Sequence, residues 1–233
     1  MKACIIPARG GSKRIPRKNI KEFCGKPVIA YSIEAALQSG CFDRVIVTTD
    51  DGEIADISKH YGAEIPFIRP RELADDFASS GDAVLHCVNW LNEHEAKPNI
   101  VCSLYPTAPF ITAQDLQASE AYFTTKRPKQ THCLSATRFD YPIQRAISVQ
   151  SGGSVKMFHP EYFQTRSQDL EAAYHDAGQF YWYTYERFFS DDHPWGETTC
   201  AYILPSYRAQ DIDTQEDWIR AELMFKALQD VQR

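Results

Sequence analysis

Hydrophobic positions in the first half of the chain fall into short runs whose period alternates between that of a strand and that of a helix. Ala3–Pro7 is a compact apolar run that opens into a Pro-Ala-Arg-Gly-Gly loop, as a buried strand does. Val28–Ser39 carries Ile29, Ile33, Ala36 and Leu37 at helical spacing and stops at Gly40. Arg44–Thr49 is β-branched and ends at Asp50-Asp51, which predicts a second buried strand. Glu53–Tyr61 reads as a helix closed by Gly62, Glu64–Ile68 as a short strand, Asp82–Glu95 as a helix, and Ile100–Leu104 as a strand. This alternation predicts an α/β fold with a doubly wound, mostly parallel sheet. Ligands of such sheets bind at the carboxyl ends of the strands, where the unusual loops of this chain fall.

The second half is patterned differently. Residues 138–207 hold 16 of the chain's 29 Phe, Tyr and Trp residues, including the run Phe180-Tyr181-Trp182-Tyr183, so its apolar surface is mainly aromatic. Core packing accounts for most such rings, and a subunit interface or a sugar-stacking surface for others. Residues of about 138–200 are expected to form an aromatic-rich extension of the sheet and the candidate dimer interface. Gln150-Ser151-Gly152-Gly153 predicts a hairpin turn, Tyr202–Leu204 is strand-like, and a last helix is expected near Gln215–Gln229. There is no repeat, low-complexity tract or linker, so 1–233 reads as a single domain.

Composition narrows the class. A chain of 233 residues with 43% apolar and 24% charged residues is an ordinary globular protein. No apolar run approaches the ~18–20 residues that span a bilayer, so no membrane association is expected. The apolar stretch before the first basic cluster is too short for a signal-peptide core. Seven cysteines without a Cys-x-x-Cys pair argue against a zinc site or a disulfide framework, and a reducing cytoplasm is expected. The net charge of −6 is unevenly spread: residues 1–26 carry +7 and the remainder −13. A basic island on an acidic protein reads as a local anion site; nucleic-acid binding would call for a broader basic surface.

Within that island lies Ile5-Ile6-Pro7-Ala8-Arg9-Gly10-Gly11-Ser12-Lys13-Arg14-Ile15-Pro16-Arg17-Lys18-Asn19, directly after the first strand. Glycines allow backbone N–H groups to converge on phosphate oxygens, and Arg9, Lys13 and Lys18 add full charges. Neither a Walker A nor a Gly-x-Gly-x-x-Gly pattern is present, which disfavours a P-loop kinase and a nicotinamide dehydrogenase. Four further segments stand in order: Phe42–Asp50, Phe67–Asp76, Pro106-Thr107-Ala108-Pro109 and Asp211-Ile212-Asp213-Thr214. Together the five segments resemble the acylneuraminate cytidylyltransferase (CMP-sialic acid synthetase) family over nearly the whole chain.

That resemblance implies a Rossmann-like nucleotidyltransferase sheet, a CTP and nonulosonic acid substrate pair, Mg²⁺ as cofactor and a homodimer. It implies that Arg9 and Lys18 grip the triphosphate and stabilise departing pyrophosphate. Ala8, Gly10, Gly11, Ser12, Asn19, Arg69 and Ser80 are implied to complete the CTP site. Ser80 reads equally well as the cap of the following helix, and Arg69 as half of a surface ion pair. Asp211 and Asp213 are implied to hold the metal, with Asp211 counted among the catalytic residues. Residues two apart in extended chain face the same way, so the pair can share one ion. Against that, Thr214-x-x-Asp217 resembles a capping box that would make Asp213 a helix-start residue; taken with the other motifs, the metal reading is preferred.

Tyr174–Trp182 departs from the neuraminic acid branch, which typically reads Arg-Pro-Asn-Gly-Ala-Ile-Tyr there. His-Asp-Ala-Gly-Gln-Phe-Tyr resembles the branch that activates pseudaminic acid. Tyr105, Arg166, His175, Asp176 and Gln179 are accordingly the implied sugar-binding residues. His175 and Asp176, adjacent on a strand, point to opposite faces and are not expected to form a dyad. The rival readings are a neuraminate or legionaminate cytidylyltransferase, an enzyme for an eight-carbon ulosonic acid, and a catalytically silent nucleotide-binding scaffold. No feature of the sequence identifies a general base.

Overall fold

The computed structural model describes residues 1–75, 78–191 and 193–231. In chain order its strands are β1 (Lys2–Pro7), β2 (Glu22–Phe23), β3 (Lys26–Pro27), β4 (Arg44–Thr48), β5 (Ile100–Leu104), β6 (His132–Arg138), β7 (Ile147–Val149), β8 (Val155–Met157), β9 (Tyr174–Thr184) and β10 (Thr199–Leu204). The α-helices are α1 (Val28–Ser39), α2 (Gly52–His60), α3 (Ser80–His94), α4 (Ala113–Lys126) and α5 (Gln215–Val231). A six-stranded sheet runs β10-β6-β9-β5-β1-β4. β9 is antiparallel to both neighbours, whereas β1 pairs in parallel with β4 and β5, and β10 with β6. The mostly parallel doubly wound sheet expected from the sequence is present.

Helices cover both faces. On one, Ile29 and Ile33 of α1 and Leu116 and Phe123 of α4 pack with Cys4, Ile6, Phe180 and Trp182. Trp182 is fully buried, donates its indole N–H to Ser119 Oγ at 3.0 Å and stacks on Phe42. On the other face Val84, Cys87, Val88 and Leu91 of α3 meet Ala3, Ile5, Ile46 and Val101. Burial of these aliphatic strands on both sides is what their continuous apolar runs encode.

Two expectations change. Glu64–Ile68 is no strand: Glu64 makes one parallel bridge to Ile46 and the chain then departs. Pro66 has no N–H to continue a ladder. The proposed extension over 138–200 is also revised. β9 and β10 belong to the main sheet, and 139–173 leaves it as the β7–β8 hairpin and short helical turns, as does the turn Tyr185–Phe189 after β9. The aromatic run alternates Phe180 and Trp182 into the helix-covered core with Tyr181 and Tyr183 on the opposite side. It therefore fills a strand between two others, not an appendage. Finally, α4 and β6 occupy residues to which the hydrophobic pattern assigns nothing. The hairpin turn at Gln150–Gly153 is found between β7 and β8, with Gly153 N–H donating to the Gln150 carbonyl at 2.9 Å.

Candidate active site

At the carboxyl ends of β1, β4 and β5 the loops enclose a cavity of about 460 Å³. Its wall includes Arg9, Ser12, Lys13, Arg14, Lys18, Asn19, Arg69, Ser80, Tyr105, Asp211 and Asp213. Residues separated by two hundred positions in sequence are thus brought to one space, which is the first requirement of the site implied above.

The loop after β1 is shaped by a carboxylate pair at the end of β4. Asp50 Oδ1 accepts the Gly10 N–H at 3.0 Å and lies 3.6 Å from Arg69 Nη2. Asp51 caps α2 by accepting from Ile54 N–H and also takes Arg17 Nη1 at 2.5 Å and Nη2 at 2.9 Å. Arg17 stands in the left-handed region at φ 56°, and these bonds together with Glu53 hold it there. The Arg17 bonds pull the Asp51 carboxyl down to about 2, against partial burial. Gly10 is required by close approach: a Cβ there would stand 2.7 Å from Asp51 Oδ2. Gly11 faces open space, so its lack of a side chain leaves backbone accessible.

Each implied residue can now be placed. Ala8 is fully buried in the core and contributes no side chain to the cavity, while its N–H extends the sheet to the Thr48 carbonyl. Arg9 Nη1 donates to the Asp75 carbonyl at 2.7 Å, and Asn19 Nδ2 donates to the Arg9 carbonyl at 2.9 Å. Lys18 Nζ donates to the Ile212 carbonyl at 2.7 Å and to Asp213 Oδ1 at 3.2 Å. Arg69 is only 4% exposed, so it is no surface ion pair; burial lowers its pKa and nearby Asp50 opposes that. Its Nε is buried without a hydrogen-bond partner among the described residues. Asp76, at the end of the Arg69 segment, lies outside the described residues.

Two competing roles are taken by neighbours. Ser79, not Ser80, caps α3, in a reciprocal box with Asp82, which leaves Ser80 to line the cavity. Thr214 and Asp217 form the capping box of α5, with Asp217 N–H donating to Thr214 Oγ1 at 3.2 Å and Thr214 N–H to Asp217 Oδ2 at 2.8 Å. The Asp211 and Asp213 carboxylates are therefore not consumed by the helix start. Ile212 between them is fully buried, so both acids face the cavity. Asp213 pairs with Lys18 and with Arg14 Nη2 at 2.9 Å. Asp211 is open to solvent and makes no hydrogen bond or ion pair among the described residues. The surrounding protein still raises its pKa, by desolvation first and then by the charge of Asp213. A carboxylate with no hydrogen-bond partner, disfavoured by its neighbour's charge, fits a hard cation. Among the described residues no group of three or more His, Cys, Asp and Glu is gathered, so the set suits an ion that takes its other ligands from phosphate and water.

The implied sugar residues divide. Tyr105 lines the cavity, with its N–H donating to the Gln179 carbonyl at 2.9 Å and its carbonyl accepting from Ser32 Oγ at 2.8 Å. Tyr181, on the same side of the sheet, tilts against Tyr105 at 5.6 Å and donates its hydroxyl to Asp176 Oδ2 at 2.7 Å. Asp176 and Tyr181 stand outside the cavity wall, behind the Tyr105 ring. His175 turns the other way, onto Phe139, and lines a neighbouring cavity of about 380 Å³ that shares Asp211. The two are no dyad, as strand geometry requires. Arg166 is exposed on the 139–173 extension, paired with Asp169 at 2.7 Å and outside the cavity. Gln179 is fully buried, lies outside the cavity wall, and its side-chain amide donates only to protein carbonyls, so it is not a sugar contact. A polar residue in an aromatic strand reads as pocket lining from sequence; burial alone distinguishes the two. Asp50 and Arg14 are participants that sequence reasoning passed over. Asp50 had a signal, standing at the carboxyl end of a parallel strand.

Comparison with known proteins gives a consistent picture. The family model described as cytidylyltransferase matches residues 3–217. The chain is 44% identical over 223 residues to pseudaminic acid cytidylyltransferase of Campylobacter jejuni, covering 96% of this chain and 95% of that protein. It is 32% identical to the CMP-N,N'-diacetyllegionaminic acid synthase of Legionella pneumophila, covering 97% of each. The fold is similar to that of a CMP:2-keto-3-deoxy-manno-octonic acid synthetase solved with CTP, at a TM-score of 0.69 and 18% identity, over 97% of this chain and 98% of that one.

Proposed function

This chain belongs to the cytidylyltransferase family, and on that premise we propose that it transfers CMP from CTP to the anomeric hydroxyl of a nonulosonic acid, pseudaminic acid, releasing pyrophosphate. The observation that carries the reading is the convergence of Arg9, Lys18, Asn19 and Arg69 with Asp211 and Asp213 on one cavity. The anomeric hydroxyl gives up its proton to water and its oxygen bonds to the α-phosphorus of CTP as the bond from that phosphorus to the pyrophosphate oxygen breaks, and negative charge moves onto pyrophosphate. In this reading Arg9 and Lys18, which line the cavity, meet that charge, so their attraction grows toward the transition state. Lys18 already donates to a carbonyl and a carboxylate, partners that phosphate oxygens replace in kind. Asn19, buried Arg69 and Ser80 surround the cytidine, and the guanidinium of Arg69, which lines the cavity, suits an acceptor of the base or its ribose. Mg²⁺, held by Asp211 and Asp213 with phosphate oxygens, would neutralise triphosphate charge and polarise the reacting groups.

For the sugar, Tyr105 offers an aromatic face, backed by Tyr181 with its hydroxyl anchored on Asp176. Pseudaminic acid ends in a methyl group and carries a second acylated nitrogen where neuraminic acid has hydroxyls. A hydroxyl placed against ring surface loses water without gaining a partner, enough for ~10²-fold discrimination. Side-by-side pyrophosphate release with CTP and pseudaminic, diacetyllegionaminic and N-acetylneuraminic acids tests this. Turnover of pseudaminic acid with little of N-acetylneuraminic acid is expected; equal use of both overturns the sugar assignment and leaves the nucleotide site standing.

The extension exposes Tyr141, Val149 and Phe163 at 84%, 68% and 68%. Exposed apolar side chains on one extension suit a partner, and a second copy of the chain, giving a homodimer, is the one proposed. Light scattering of the wild type and of a Val149→Lys, Phe163→Lys variant checks it. No helix of the described residues is long and apolar enough to cross a membrane. All seven cysteines are free, in keeping with the proposed cytoplasmic location.

A further inference from the structure

The loop that carries Asp211 has no regular structure between the turn at Ser206–Arg208 and α5. Among the described residues, two of its carbonyls are held by side chains. Ile212, just after Asp211, gives its carbonyl to Lys18 Nζ at 2.7 Å. Gln210, just before, gives its carbonyl to Gln179 Nε2 at 3.1 Å. Asp211 is thus pinned from both sides, once by a charged donor that substrate can draw away and once by a buried neutral one.

Gln179 is built into the sheet for this task. Its own N–H donates to Ser135 Oγ at 3.2 Å, and Phe180 N–H donates to the same oxygen at 3.0 Å. Ser135 stands at the irregularity where the β6–β9 register shifts between Leu134 and Ala136, so its hydroxyl accepts donors that the interrupted ladder leaves over. Gly178, at φ 62°, turns the chain there and passes beneath Asp211; a Cβ on it would lie 3.8 Å from the Asp211 Cγ. Nε2 also donates to the Ala177 carbonyl at 2.8 Å, which fixes which end of the amide faces the loop. Oε1 is buried without a partner among the described residues, so the site retains a cost in order to keep the amide's donor end in place. The Gln179 carbonyl meanwhile accepts the Tyr105 N–H at 2.9 Å. One fully buried residue ties the wall bearing Tyr105 to the loop bearing Asp211.

We propose that Gln179 is a positioning residue that fixes Asp211 for the divalent cation through the Gln210 carbonyl, while its own carbonyl sets the distance to Tyr105. This rests on the assignment of Asp211 to the metal. An outer partner of this kind orients a ligand, and its loss typically weakens metal affinity ~10–100-fold.

The test uses the full chain with CTP and Mn²⁺ as the paramagnetic probe. Bound Mn²⁺ is counted by electron paramagnetic resonance, and thermal midpoints are read in parallel. Gln179→Met keeps the volume and removes the donor. It is expected to weaken Mn²⁺ binding at least ~10-fold and to raise the Mg²⁺ concentration for half-maximal rate in proportion. Ser135→Ala damages the same buried network without touching the loop; it should lower the melting temperature and leave the Mn²⁺ affinity alone. If Gln179→Met does not fold, Gln179→Asn, which keeps the amide and shortens its reach, is read the same way. Unchanged Mn²⁺ affinity in a folded Gln179 variant overturns the proposal. So does an equal loss in Ser135→Ala, which would make the effect a general loosening. Asp211→Asn, measured alongside, separates the premise: if it binds Mn²⁺ as the wild type does, the metal assignment itself falls.

Discussion

Two regions that meet at Tyr105 are held by different forces: the basic wall of the cavity, and strand β9, which lies behind Tyr105 and does not itself line the cavity. The basic wall, residues 9–19 with the ends of β4 and the Arg69 segment, is a set of charged bonds: Arg17 to Asp51 and Glu53, Arg69 to Asp50, Lys18 and Arg14 to Asp213. The β9 region is held by neutral buried bonds and ring contacts: Ser135 and Gln179 inside, with Tyr181 against Tyr105 and stacked over His132 and Tyr183. His132 is pushed down to about 4, chiefly by burial, so it stays neutral in that stack. Charged groups near water can exchange one partner for another at little cost, whereas a buried neutral bond that is broken leaves an unsatisfied group. The first region is suited to taking up and releasing phosphate. The second is suited to holding one shape for the sugar.

The largest way to break this division is at the acid loop that both regions share. Asp211→Ala should lower turnover about 10³-fold with the fold retained, because it removes the carboxylate best placed for a cation. Asp213→Ala should lower it by at least ~10²-fold, and its partners Lys18 and Arg14 then lose their shared anion. EDTA should abolish activity and Mg²⁺ restore it. Normal turnover in both variants, read by pyrophosphate release, would reduce the pair to a helix-start feature.

Next is the basic wall alone. Arg9→Ala should cost roughly 2–4 kcal/mol, mainly in kcat, because its attraction grows as pyrophosphate departs. A variant with unchanged kcat and only a higher KM for CTP contradicts that role.

In the neutral region, Tyr181→Phe keeps the ring and removes the donor to Asp176. The KM for the sugar should rise about tenfold, while KM for CTP changes less than ~2-fold. Equal shifts for both substrates would show that the two regions do not work separately.

The smallest effect is electrostatic and needs no substrate. Asp51 has a folded pKa of about 2 against an ordinary 3.8. A depressed carboxyl adds stability that is present above its unfolded pKa and is lost as pH falls through the folded one. The wild type should therefore lose this contribution between about pH 4 and pH 2. Arg17→Ala should reduce that part of the loss in denaturant titrations. The charged wall alone should show it: Ser135→Ala should leave the acid slope unchanged.

The sequence by itself determined the parallel half of the sheet, the basic glycine-rich loop after β1 and the approach of Asp211 and Asp213 to one face. These are local properties. β1, β4 and β5 are apolar runs bounded by Pro, Asp and polar loops, α1 carries its period and its stop, and two carboxylates in extended chain align by backbone geometry alone. The resemblance over five segments supplied the chemistry. The tertiary structure decided what depends on partners far along the chain. It placed the aromatic run of β9 between β5 and β6, with Phe180 and Trp182 buried beneath the helices, whereas sequence shows only that its rings are apolar. It gave the cap of α3 to Ser79 and that of α5 to Thr214 and Asp217, freeing Ser80, Asp211 and Asp213. It also moved Gln179 from the pocket into the interior, where its amide reaches the Gln210 carbonyl. A side chain's hydrogen-bonding capacity is written in its residue type; which of its possible partners it meets, and whether water competes, is settled only when the chain closes around it.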